Sequence, residues 1–146
     1  NRLPCPPLDL GQEQRVQRAC LEGIQNGLVR AAHDCSDGGL AVALAEMSFS
    51  NFQGAGRGAH IDLAAADFPA GVLFGEYQSR IIVTVDEAHW GALQKIAAGH
   101  RVELLRLGTT GGDRLTIQDG SSILIDEAVA ELESIWRHSL GQYFQR

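Results

Sequence analysis

AAHDCSDGGLAVALAEMS, residues 31–48, is the stretch from which the rest of the chain can be read. It places His33, Asp34, Ser36 and Asp37 within five positions and follows them with Gly38 and Gly39. Leu40, Ala43, Leu44 and Met47 then recur at helical spacing, which predicts a helix over about 38–49. Ser36 or Asp37 is a natural N-cap, because a side-chain oxygen there can accept from the unpaired amides of the first turn. The result is a polar, glycine-lined shelf at a helix start, where free amides and the helix dipole attract an anion or a polarised oxygen. Asp34 and Asp37 add negative charge, which suits a magnesium ion, a sugar hydroxyl or an amide N–H better than a bare phosphate. The plainer reading is that Ser36 and Asp37 only cap the helix while the glycines permit a tight turn.

Upstream, Val16, Cys20, Ile24 and Leu28 recur every four residues, with Ala19 alongside, and predict an amphipathic helix over 12–30 despite Gly23 and Gly27. Residues 1–9, NRLPCPPLD, are proline-rich and read as a linker, leaving 10–146 as a single domain. Residues 51–58 are glycine-rich and read as a loop, and AHIDL (59–63) as a short strand. Residues 64–75 hold a small-residue turn and an apolar step at Val72, Leu73 and Phe74. RIIVTV (80–85) is the surest strand, being rich in β-branched residues. Asp86 is placed to cap a helix running to about Ala98, with Ala88, Leu93, Ile96 and Ala97 turned inward. A strand over 102–107, a glycine turn over 108–113 and a returning arm over 115–118 read as a hairpin. A strand over 122–125 precedes a closing helix with Val129, Leu132, Trp136 and Leu140 on one face. Interleaved helices and hairpins predict an α+β fold with a mixed, mostly antiparallel sheet and packed helices.

Composition narrows the function. The chain has 146 residues, 45% hydrophobic and 21% charged, enough for one ordinary core. Its net charge of −6, with Lys95 the single lysine, argues against nucleic acid. No apolar run reaches the length of a membrane span, so no membrane partner and a cytoplasmic location are expected. Cys5, Cys20 and Cys35 lack zinc-ligand spacing, and nothing beside Cys35 in sequence marks a nucleophile. The glycines at 108, 111 and 112 lack the spacing and lysine of a nucleotide P-loop. A chain that begins at Asn1 with one methionine, Met47, is expected to be processed or cut from a longer one.

A second polar cluster, GEYQSR (75–80), supplies Glu76, Gln78, Ser79 and Arg80 at the entrance to the strongest strand. It reads either as one wall of a ligand site or as a solvated connection with Arg80 paired to Glu76.

Taken together, GLVRAAHDCSDGGLAVALAEM (27–47), LFGEYQSRIIVTV (73–85), LGTTGGDRL (107–115) and ELESIWRHSL (131–140) resemble, in order and spacing, one family over essentially the whole chain. That family is the C-terminal domain of the phosphoribosylformylglycinamidine synthases, within the aminoimidazole ribonucleotide synthetase superfamily. The resemblance implies a part of an ATP-dependent carbon–nitrogen ligase of purine biosynthesis, inactive alone because the nucleotide-binding N-terminal half lies elsewhere. It implies ATP and magnesium (Mg2+) as cofactors of the full enzyme and a phosphorylated ribonucleotide as substrate. Implied partners are the rest of the synthetase chain, a glutaminase subunit and a small accessory subunit. His33, Asp34, Ser36, Asp37, Gly38 and Gly39 match the family's first signature, and Glu76, Gln78, Ser79 and Arg80 its second. By the same resemblance these are substrate- or nucleotide-binding positions, with Asp37 a metal ligand. Whether they face the working active site or a pseudo-symmetric nucleotide site stays open, as does a purely assembling role. An apolar face turned towards the missing half is expected to make the isolated domain a homodimer.

Overall fold

The computed structural model describes residues 8–50, 55–63 and 69–144. The expected linker over 1–9 lies outside it except for Leu8 and Asp9, as do residues 51–54 of the expected loop over 51–58 and residues 64–68 of the expected turn. The chain divides into two compact units, Asn1–Ala43 with Phe74–Leu105 and Leu44–Leu73 with Arg106–Arg146.

In the first unit, α1 (Leu10–Gln25) begins where Asp9 Oδ1 accepts from Gln12 N at 3.0 Å. It stops five residues short of the expected end. Asn26 closes the last turn, and Gly27 takes a φ of +68°, a left-handed conformation that glycine adopts without a Cβ penalty. The residues freed by that stop form β1 (Val29–Asp34), a strand where only a short apolar step over 31–33 was expected. Its partner is β3 (Ile81–Val85), antiparallel, with His33 opposite Ile82 and Asp34 opposite Ile81. A 3-10 turn (Glu87–His89) leads into α4 (Trp90–Gly99), whose Leu93 and Ala97 are buried; Ala88, expected inward, is exposed. Gly23 is buried where α1 passes α4, since a Cβ there would sit 3.0 Å from Leu93 Cδ1. Asp86 does not cap that turn with its side chain. Its carboxylate instead accepts from Arg30 Nη2 at 2.6 Å and Nε at 3.0 Å, and a full guanidinium outcompetes one amide.

The helix α2 (Gly39–Ser48) runs from the first unit into the second and matches its expected span to within a residue at each end. Leu40, Ala41, Ala43, Leu44 and Ser48 are buried, as expected of a helix apolar around most of its circumference.

The second unit holds a four-stranded sheet in the order β4–β2–β5–β6, with β2 Ala59–Asp62, β4 Gly108–Thr110, β5 Arg114–Asp119 and β6 Ser122–Ala128. Here the sequence-based hairpin is wrong. β4 and β5 do not pair with each other, because β2 lies between them, antiparallel to β4 and parallel to β5. The antiparallel hairpin is β5–β6. The alternation over 102–107 joins no strand ladder. The apolar step at Val72, Leu73 and Phe74 closes a short helix, α3 (Pro69–Phe74), with Pro69 at its first position, where a missing N–H costs nothing. Leu115 and Ile117 are the largest fully buried side chains, with Ala59, Ile61 and Val129 also in the core. The closing helix α5 (Val129–Tyr143) buries Val129 but leaves Ile135, Trp136 and Leu140 exposed, so the expected apolar stripe faces outward along most of its length. The fold is α+β with mixed, mostly antiparallel sheets, as expected.

Candidate functional site

The two polar clusters, some forty residues apart in sequence, come together in the first unit through the β1–β3 ladder. Cys35 N donates to Arg80 O at 2.9 Å, extending the ladder one residue beyond Asp34. Immediately after it the chain turns through Gly38 (φ +77°) and Gly39 (φ +68°) into α2. Gly38 N donates to Glu76 Oε1 at 3.0 Å, so the side-chain oxygen that meets this helix start belongs to the second cluster rather than to Ser36 or Asp37. The physical reason is the positive φ at Gly38 and Gly39: the turn they make carries that amide towards the chain entering β3, and the local cap expected from sequence gives way to a long-range one. Ser36 contributes its carbonyl, which accepts from Gly39 N at 3.0 Å.

His33 and Asp34 end β1. The His33 Nδ1–H donates to the Asp34 carbonyl at 2.6 Å, which in the neutral imidazole places the ring's lone pair on Nε2. The Asp34 side chain is 71% exposed, and Ser36 and Asp37 are also exposed. Cys35 is buried, and burial pushes its thiol above the ordinary value, while the Arg80 charge acts the other way. A thiol so placed stays protonated at neutral pH, which agrees with the expectation that Cys35 is no nucleophile.

On the second strip, Glu76, Tyr77 and Gln78 are exposed and Ser79 and Arg80 half-buried. Arg80 Nη1 donates to Gly75 O at 3.3 Å, and its guanidinium carbon lies 6.0 Å from the centre of the Tyr77 ring. Ser79 takes a φ of +62°, uncommon for a residue with a Cβ, and its Oγ–H donates to Glu13 Oε2 at 2.7 Å. That bond, with one from Gln17 to the same carboxylate at 2.6 Å, holds the Glu13 carboxyl below the usual range. Sequence reasoning missed Glu13 and Tyr77. Tyr77 sat inside the quoted motif, but nothing local links Glu13 to a serine 66 residues away.

All ten expected site residues therefore fall on two adjoining strips of one unit, with the Glu76–Gly38 bond and the Cys35–Arg80 ladder bond joining the strips. Among the described residues, no group of three or more His, Cys, Asp or Glu side chains is disposed to hold a metal ion. An exposed carboxylate such as Asp37 fits magnesium only in the shared mode, in which one or two carboxylates and nucleotide phosphates complete the shell. A concavity of about 300 Å³ in the second unit is lined by His60, Thr109, Thr110, Gly112, Arg114 and Thr116 among others, and by none of the ten. No helix among the described residues is long and apolar enough to cross a membrane.

Comparison with known proteins gives the family and the fold. Residues 5–120 match the family model described as AIR synthase related protein, C-terminal domain. A curated relative, phosphoribosylformylglycinamidine synthase subunit PurL of Thermomicrobium roseum, is 46% identical over 136 residues, which are 92% of this chain and 18% of that protein. The chain thus spans about a fifth of the length of the curated relatives it matches. Among solved structures, PurLQS from Thermotoga maritima superposes with a TM-score of 0.77 at 22% identity, covering 90% of this chain and 23% of that one. T. maritima PurL complexed with FGAR (TM-score 0.72, 82% of this chain and 20% of that one) and with ATP (0.71, 82% and 21%) are each 21% identical. These likenesses confirm the fold, and the match over residues 5–120 settles the family: the chain belongs to the AIR synthase related proteins, as one of their C-terminal domains.

Proposed function

We propose that this domain is the C-terminal part of a phosphoribosylformylglycinamidine synthase and serves the ATP-dependent amination of formylglycinamide ribonucleotide. The observation that carries the proposal is the convergence of 33–39 with 76–80 through the Glu76–Gly38 and Cys35–Arg80 bonds. The PurL relative and the FGAR and ATP complexes of the T. maritima protein support the substrate assignment.

In this reaction the substrate amide oxygen attacks the γ-phosphorus of ATP and ADP leaves. Ammonia then adds to the activated carbon, and inorganic phosphate departs with the former amide oxygen. Such phosphoryl transfer rests on positioning and charge stabilisation more than on covalent work by side chains. In this chain Asp34 and Asp37 offer exposed carboxylates that accept from substrate hydroxyl or amide groups, and Asp37 is the candidate to share Mg2+ with nucleotide phosphates. Bound magnesium neutralises charge on the transferring phosphoryl group. Glu76 already occupies the Gly38 amide, which disfavours a bare phosphate at that point and favours a neutral polar group beside it. His33 Nε2 and the Arg80 guanidinium complete the polar strip. Ammonia comes from a separate glutaminase, and a small accessory subunit aids assembly; the PurLQS structure of T. maritima supports a multisubunit arrangement. The enzyme works in the cytoplasm.

A second reading, an assembly module around a pseudo-symmetric nucleotide site, draws on Ile135, Trp136 and Leu140, whose exposure on α5 also supports self-association of the isolated domain. Asp37→Ala in the complete protein separates the two. The ligase reading expects turnover to fall about a hundredfold with assembly and unfolding temperature retained. Unchanged turnover with failed assembly supports the second reading.

A further inference from the structure

Ser79 is held in a backbone conformation that residues with a Cβ rarely adopt, and the group that holds it lies outside both signature segments. Its φ is +62°, and it sits between Glu76, which meets the Gly38 amide, and Arg80, whose carbonyl accepts from Cys35 N. Residues 75–80 therefore turn a corner at Ser79 as they pass from the helix start of α2 into β3. Glu13, in the first turn of α1, grips that corner: Oε2 accepts from Ser79 Oγ–H at 2.7 Å. Its other oxygen is fixed by Gln17 Nε2 at 2.6 Å, and the helix turn beneath is anchored by Glu13 N donating to Asp9 O at 3.0 Å.

We infer that Glu13 is a positioning residue for the site, clamping Ser79 in its left-handed conformation so that Glu76 and Arg80 stay in register with residues 34–38. The inference rests on the functional reading above but has its own structural readout. A serine free of the clamp relaxes towards negative φ, where a Cβ is unstrained, and the chain on either side must rotate with it. Glycine populates positive φ about as readily as negative, so Ser79→Gly removes the need for a clamp.

The test uses the complete protein and four variants: Glu13→Ala, Glu13→Gln, Ser79→Gly, and Glu13→Ala combined with Ser79→Gly. The first readout is hydrogen exchange at the Gly38 and Cys35 amides; the second is kcat and KM for the ribonucleotide. Glu13→Ala is expected to speed exchange at both amides and to lower kcat/KM about tenfold or more, the scale of a small misplacement. Glu13→Gln, which keeps an acceptor oxygen for the hydroxyl, is expected to fall between it and the parent. Adding Ser79→Gly to Glu13→Ala is expected to return exchange at both amides most of the way to the rate in Ser79→Gly alone; Ser79 is itself a candidate binding residue, so kinetics are compared only between the parent and the Glu13 variants. A merely structural role for Glu13 predicts no such rescue, because glycine supplies no replacement contact. Unchanged exchange in Glu13→Ala, or faster exchange that Ser79→Gly does not relieve, overturns the proposal. Unchanged kinetics in Glu13→Ala also overturns it; if Asp37→Ala is equally silent, the failure lies in the functional reading, and exchange still reports whether the clamp exists.

Discussion

Two glycine-rich turns, at 36–39 and 109–113, look alike in sequence but bond their backbones to different kinds of partner. In the first, Gly38 and Gly39 take positive φ, and the side chains beside them, Ser36 and Asp37, stay exposed. In the second, the backbone itself is consumed: Gly111 N donates to Gly58 O at 2.8 Å, Gly58 N donates to Gly112 O at 2.9 Å, and Val129 N donates to Asp113 O at 2.9 Å. The surrounding glycines are there for close approach. A Cβ on Gly108 would collide with the His60 carbonyl, and one on Gly58 with the backbone of Arg114. The lesson is about what the backbone of each turn meets. Around 109–113 it bonds within the same unit, to Gly58 beside β2 and to Val129 at the start of α5, whereas around 36–39 Gly38 N meets the Glu76 carboxylate of the second polar cluster; both turns leave a carboxylate and hydroxyl groups exposed.

That contrast breaks most visibly at the close approaches. Gly108→Ala is expected to cost about 3 kcal/mol or more, since the obstacle is backbone in the middle of the β2–β4 pairing and no rotamer can yield. Urea unfolding followed by circular dichroism measures it; a loss well below 1 kcal/mol would show that β4 is free to move off β2. Gly38→Ala comes next, at about 2 kcal/mol, combining positive φ with a collision against the Val42 side chain. It should also lower turnover, because the amide that meets Glu76 moves with it. Gly112→Ala is the matched control: the same sign of φ, +70°, but nothing within 4 Å of the added carbon. Its expected cost is about 1 kcal/mol with turnover unchanged. Should Gly112→Ala impair turnover as much as Gly38→Ala, the functional division between the two turns is wrong.

The first turn was legible because its signal is local, two glycines and an apolar helix in unbroken succession, although the cap read at Ser36 or Asp37 gives way to Glu76. β3 was legible for the same reason, through its run of Ile, Val and Thr. The second turn misled because its arms flank a strand that arrives from fifty residues earlier. Adjacent arms joined by glycines suggest a hairpin, and nothing local in Gly108 or Arg114 announces that β2 will lie between them. β1 was missed because VRAAHD has one β-branched residue, Val29, and acquires its strand state from pairing with β3. The same limit applies within the site. The two polar clusters stand out in the sequence, and the family resemblance makes their ten residues candidate binding positions, but the Glu76–Gly38 bond and the Ser79–Glu13 clamp are long-range facts, visible only once the chain is folded.

The smallest expected effect sharpens the contrast through a carboxylate that the fold does use. Glu133 on α5 accepts from Ser50 through both its hydroxyl and its backbone N–H, and from Arg137 Nε at 2.7 Å. These bonds, the Ser50 hydroxyl foremost, bring its carboxyl down to about 2 from an ordinary value of 4.5. A carboxylate lowered on folding stabilises the folded state fully above its unfolded value, and that contribution is lost as pH falls through the folded one. Between pH 4.5 and about 2, then, the unfolded chain takes up a proton at Glu133 that the folded chain resists, and stability drops with acidity. Glu133→Gln removes this proton uptake, so the melting temperature should fall less steeply over that window than in the parent, from a lower starting point at neutral pH. Kinetics at neutral pH should not change, because Glu133 serves the fold alone. Asp37→Ala is expected to do the reverse, sparing the melting temperature at neutral pH and lowering turnover about a hundredfold. An acid limb of equal slope in Glu133→Gln and the parent would mean that the Ser50 contacts do not persist in solution, and that this part of the second unit does not use its carboxylate after all.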